Sequence, residues 1–90
     1  MILLIKYELN KPNKDYTKLY EGIKGLGDWV RDPLLHSAWF VSTNQTALQA
    51  ADILKFHIDA DDRIFITRLH SNEYAGWMNK DIWNWINPRV

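Results

Sequence analysis

The first strand of this chain is apolar on both of its faces. Ile2, Leu3, Leu4 and Ile5 follow one another without a polar residue. Successive side chains of a strand point to opposite sides of its sheet, so neither side here can be left to water. The run gives way at Glu8, just before the turn-forming Asn10-Lys11-Pro12-Asn13. A carboxylate at the C-terminal edge of a strand can hold a metal, or it can simply cap a solvated end.

The chain has 90 residues, which predicts one domain over 1–90 with a short C-terminal tail element at about 77–90. A chain of this size buries only about 60–65% of its unfolded surface, so it needs area from large side chains. Five tryptophans, four tyrosines and three phenylalanines supply it. There is no cysteine, which excludes a disulfide scaffold, a thiolate zinc site and a cysteine nucleophile. Eleven basic residues balance eleven acidic ones. Zero net charge is poor equipment for gripping a duplex, because nonspecific affinity for nucleic acid comes mainly from Lys and Arg displacing counterions. No run reaches the ~18 apolar residues of a membrane span, and no basic start or cleavage site marks a signal peptide. The expectation is a cytoplasmic protein with no membrane contact.

Behind the first strand, Asp15 is suited to cap a helix carrying Tyr16, Leu19, Tyr20, Ile23 and Leu26 on one stripe, with Gly27 as its stop. Asp28–Thr43 reads as a hairpin with a weak first arm, interrupted by Pro33 and completed by Ser37–Thr43. Thr46 and Gln49 form a capping box for a second helix with Ala47, Ala51, Leu54 and Ile58 on one face. Asp59–Asp62 is a turn, and Arg63–Leu69 is a strand. In the tail, Asn79 caps a short helix over Lys80–Ile86, although the alternation of Trp83 and Trp85 also suits a strand.

This order predicts an α+β, ferredoxin-like βαββαβ fold with both helices on one face of an antiparallel sheet. The opposite face should then be wet, yet all three long strands are apolar on both sides: Leu3/Ile5 against Ile2/Leu4, Trp39/Val41 against Ala38/Phe40, Ile64/Ile66 against Phe65/Leu69. Large apolar patches usually mark interfaces. The expectation is a sheet-mediated homodimer whose contacts include Ile2, Leu4, Ile64 and Ile66.

The opening strand with its acidic end, then Leu9-Asn10-Lys11-Pro12 and Asp15-Tyr16-Thr17-Lys18-Leu19-Tyr20, resembles the small SinR-like proteins, relatives of the second CRISPR-associated protein and of the VapD ribonucleases. Leu26-Gly27, Ser37-Ala38-Trp39, Thr43-Asn44, Asp59–Asp62 and Ala75-Gly76-Trp77 extend the resemblance over nearly the whole chain. It implies a ferredoxin-like homodimer. In the CRISPR branch an aspartate ending the first strand faces its mate and has been assigned a magnesium-dependent nuclease role; in integration complexes the same protein is a structural adaptor. The matching position here is Glu8, whose extra methylene changes the reach at an ion that demands near-octahedral geometry.

Glu8 is therefore the one candidate for catalysis and for Mg²⁺, as a carboxylate pair across a dimer axis; its plainer role is an ion pair with Lys6 or Lys11. Asp59, Asp61 and Asp62 lack the glycine and glutamate of a calcium loop and read as a solvated turn. His36, His57 and His70 are scattered. Trp39 and Trp77 are assigned to packing. Trp29, Trp83 and Trp85, with Lys6, Lys11 and Arg31, are the candidate binding residues, as rings and cations for single-stranded nucleic acid or a small nucleotide. The leading expectation is a homodimeric, non-catalytic binding module engaging nucleic acid, a nucleotide or a protein. The alternatives are a Mg²⁺- or Mn²⁺-dependent endoribonuclease using Glu8, and a phage or mobile-element factor that sequesters a signalling nucleotide or docks on a host defence protein.

Overall fold

A computed structural model describes residues 1–90 as an α+β fold with one four-stranded antiparallel sheet and three α-helices. The elements are β1 (Ile2–Glu8), α1 (Thr17–Lys24), β2 (Asp28–Val30), β3 (Ala38–Ser42), α2 (Ala47–Leu54), β4 (Arg63–Leu69) and α3 (Lys80–Ile86), with a 3-10 turn over Lys55–His57 after α2. The sheet runs β2-β3-β1-β4. β1 is its centre, with Ile5 paired to Trp39 on one side and to Ile66 on the other.

Local chemistry explains the boundaries. Asp15 accepts the Thr17 backbone N–H at 2.9 Å, so α1 starts one residue later than a cap at Asp15 would place it. The capping box of α2 is complete: Thr46 Oγ1 accepts from Gln49 N at 3.1 Å and Gln49 Oε1 from Thr46 N at 2.9 Å. Asn79 accepts from Asp81 N at 3.0 Å and starts α3. Gly27 lies against β3 so closely that a Cβ there would sit 2.0 Å from the Ser42 carbonyl oxygen. No other residue fits that crossing.

The pleat sorts the side chains into two cores. Leu3, Ile5 and Tyr7 of β1 and Trp39 and Val41 of β3 meet Leu19 and Ile23 of α1 and Ala50 and Leu54 of α2. On the other side, Ile2 and Phe40 are buried with Ile82 and Ile86 of α3, and Leu4, Val30, Leu69, Tyr74, Met78 and Trp85 close around them. Ile82 and Ile86 are four residues apart and so share one stripe of their helix. Each fully buried aliphatic side chain contributes about 1.5–3 kcal/mol.

This second core corrects the assignment of contacts to a partner copy. The covering that the bare sheet demands comes, over Ile2, Leu4, Val30, Phe40 and Leu69, from the tail of the same chain. Ile2 is 0% exposed within one chain and can touch no second copy unless α3 leaves. Ile64 and Ile66 lie on the opposite face from Ile2 and Leu4, because they pair with Tyr7 and Ile5, and cross-strand partners share a side. They pack on the α1–α2 core. Towards Glu8 the second face is open, with Phe65 66% exposed opposite Lys6. Trp77, assigned to packing by its sequence context, is 99% exposed, because its neighbours Tyr74 and Met78, with Ile82 and Ile86 of α3, do the covering. No helix is long and apolar enough to cross a membrane.

Candidate binding cleft

A cleft of about 830 Å³ opens where β1 ends, between the loop that leads into α1 and the loop that joins β2 to β3. Buried carboxylates hold both walls. Asp62 accepts from Asn10 N at 2.9 Å, Tyr16 Oη at 2.9 Å and Asp59 N at 2.8 Å, which fastens the β1–α1 loop to the turn before β4. The Asp59 and Asn10 backbone N–H groups hold the Asp62 carboxyl below the usual carboxylate range. Two ion pairs flank this staple, Lys11–Asp61 and Lys14–Asp59, each at 3.0 Å, and Asn10 Nδ2 donates to the Asp61 carbonyl. The hydrogen bond with Lys11 lowers the pKa of Asp61, and the same bond raises that of Lys11.

The opposite wall depends on Asp32. Its carboxylate accepts from Leu34 N at 2.8 Å and from Asn79 N at 3.1 Å. These two N–H groups, Leu34 first, depress its pKa. One side chain thus shapes the hairpin loop and anchors the start of α3. Ser37 closes the loop at φ 58°, and its carbonyl accepts from Tyr7 N at 3.0 Å.

The floor is aromatic. Tyr20 stacks on Trp39 with ring centres 6.1 Å apart, and Tyr7 tilts against Tyr20 at 6.1 Å. Trp39 Nε1 donates to the Tyr7 hydroxyl at 3.0 Å. Burial, and then the neighbouring Tyr7, pushes the Tyr20 phenol up in pKa. Arg31 lies over the Trp39 ring, its guanidinium carbon 4.4 Å from the ring centre. Among the cleft's lysines and arginines, Lys11 and Lys14 carry carboxylate partners and Arg31 carries none.

The candidate residues named from sequence separate into two groups. Glu8, Lys11 and Arg31 line the cleft, and Lys6 reaches its rim, with Nζ 3.0 Å from Glu8 Oε1 and 3.4 Å from the His36 carbonyl. Glu8 is solvent-exposed in that pair, and no group of three or more His, Asp or Glu side chains is arranged to hold a metal ion. Trp29 adjoins the floor, 4.9 Å from Trp39 and 41% exposed, with Lys24 over its ring. Trp83 and Trp85 belong elsewhere: Trp83 stacks on Tyr74 at 6.2 Å, and Trp85 packs in the second core beneath Arg89. The acidic turn proves to be a staple, with its carboxylates engaged by the β1–α1 loop.

Sequence reading missed Tyr7, Tyr20 and Asp32 as parts of this site. The only local signal was the Asp32-Pro33 turn, since an aspartate before proline often accepts a backbone N–H two residues on. No protein-family model matches this chain, and no solved structure matches it.

Proposed function

We propose that this chain is a homodimeric, non-catalytic binding module of ferredoxin-like, SinR-like type, and that its cleft takes a nucleotide or a short single-stranded nucleic acid. The element succession and the strand order β2-β3-β1-β4 support the fold name. The observation that carries the ligand is Arg31, a guanidinium without a carboxylate partner, which lies over Trp39 and lines a polar cleft that also holds Tyr7 and Tyr20. Its planar fork can grip one phosphate bidentately. The exposed ring of Trp29 offers a surface on which a base stacks. With Lys11, Lys14 and Lys6 occupied by acids, the cleft suits few phosphates, in keeping with zero net charge.

Titration of intrinsic tryptophan fluorescence with nucleoside monophosphates, cyclic dinucleotides and short single-stranded RNA tests this reading. Saturable binding of one probe, weakened at least about tenfold by Arg31→Ala, is the expected result. Absence of binding by every probe, or indifference to Arg31→Ala, rejects it. Sequestration of a signalling nucleotide from a host defence system would use the same cleft.

Glu8 on the cleft wall favours a second reading, a Mg²⁺- or Mn²⁺-dependent endoribonuclease. Incubation with RNA and either ion, comparing Glu8→Gln, decides it: cleavage abolished by the substitution supports that chemistry, and cleavage that survives it removes Glu8 from the role.

A further inference from the structure

The second core leaves an apolar groove of about 360 Å³ between Leu4, Phe40 and Leu69 of the sheet and Tyr74, Trp83 and Ile86 of the tail. Trp77 stands at its edge, 99% exposed, and Leu34, 89% exposed, lies with it along the adjoining depression. The segment that presents Trp77 is tied at both ends, by the Tyr74 hydroxyl to Asn87 Oδ1 at 2.8 Å and by Asn79 N to Asp32 at 3.1 Å. The indole is held out by a fastened loop.

We infer that this face joins two copies of the chain, with Trp77 of each copy seated in the other's groove. The inference rests on the homodimer part of the proposed function; it keeps Leu4 in the contact and replaces Ile2, Ile64 and Ile66 with residues of the tail. Three observations favour a second copy as the occupant. A knob and a hole side by side on one surface are what a two-fold contact requires, since each copy offers the feature its mate receives. A residue on a two-fold axis meets its own copy, so a charge there is repelled, and the segments 74–79 and 33–35 contain no charged residue. The exposed area, 6002 Å² for a 10.7 kDa chain, also exceeds the about 5,500 Å² that size scaling gives for an average monomer. That surplus is a large part of the roughly 800 Å² per partner in a stable interface, and a buried tryptophan supplies about 150–250 Å² of it.

Sedimentation velocity on the full chain across the micromolar range, with Trp77→Ser and Leu34→Ser alongside, tests the inference. Both positions are exposed, so both variants should keep the parent's circular dichroism and melting temperature. The expected result is a dimer whose dissociation constant rises at least about tenfold in Trp77→Ser and by less in Leu34→Ser. A dimer unaffected by either substitution overturns the tail interface and leaves the homodimer reading standing. A monomer at every concentration overturns both.

Discussion

The face of the sheet under α1 and α2 and the face under α3 carry similar aliphatic and aromatic side chains, but they are closed in different ways. Two eight-residue helices and a fused aromatic layer seal the first, and the loops around it are fastened by Asp62. One seven-residue helix covers the second, delivered by a tail whose start is fastened by Asp32, and a groove and an exposed tryptophan remain. The first face is a finished core. The second is covered enough to bury Ile2 and Phe40, and it leaves apolar surface, Trp77 above all, exposed. Similar strand patterns thus support one sealed side and one side that is only partly covered.

The largest effect that would test this contrast is Leu54→Ala, in the sealed core, which should cost about 2–5 kcal/mol in chemical denaturation. Ile86→Ala removes an equally buried side chain, but the single tail helix can settle into the gap, so its cost should lie near the low end, about 2 kcal/mol. Equal losses at the two sites would mean that the faces are equally rigid. Gly27→Ala should cost about 1–3 kcal/mol, because its Cβ would displace the β3 backbone at Ser42; an unchanged midpoint would show that the crossing is loose.

Acid separates the two fastenings. Asp32 and Asp62 have folded pKa values below their unfolded ones, so each adds stability that is complete above the unfolded value. That stability is lost as the pH falls through about 4 towards the folded pKa. Melting temperature should therefore drop on acidification, and Asp32→Asn and Asp62→Asn should each flatten the drop. In Asp32→Asn the early change should appear in the protection of α3 amides from hydrogen exchange, and in Asp62→Asn in the β1–α1 loop. A pH profile identical to the parent's in both variants would remove the carboxylates from this role. The smallest effect belongs to Glu8→Gln, which breaks only the exposed pair with Lys6 and should change stability by less than about 1 kcal/mol. A larger loss would show that the open end of the second face depends on that pair.

Elements built from local rules were legible in the amino-acid sequence. β4 spans Arg63–Leu69 and α3 spans Lys80–Ile86 with Asn79 as cap, as their patterns imply, and both halves of the Thr46–Gln49 box form. The candidate site was only partly legible. Lys11 and Arg31 look like binding residues from their type, but the tyrosine floor is assembled from β1 and α1, and its walls come from two loops far apart in the chain. Trp77, assigned to packing, is bare, and Trp85, named as a binding residue, is packed. Which ring is covered depends on how the tail lies on the sheet, which no neighbouring residue encodes.

What the chain's own order of residues determined was that both sides of the sheet had to be covered, because alternation is a property of each strand and apolar side chains occupy both phases. Which body covers the second side was decided only in three dimensions. Whether a helix like α3 folds back on its own sheet depends on loop reach, on the acceptor that Asp32 offers to Asn79 and on the fit of Ile82 and Ile86 above Ile2 and Phe40. These are relations between distant residues, and no local pattern encodes them.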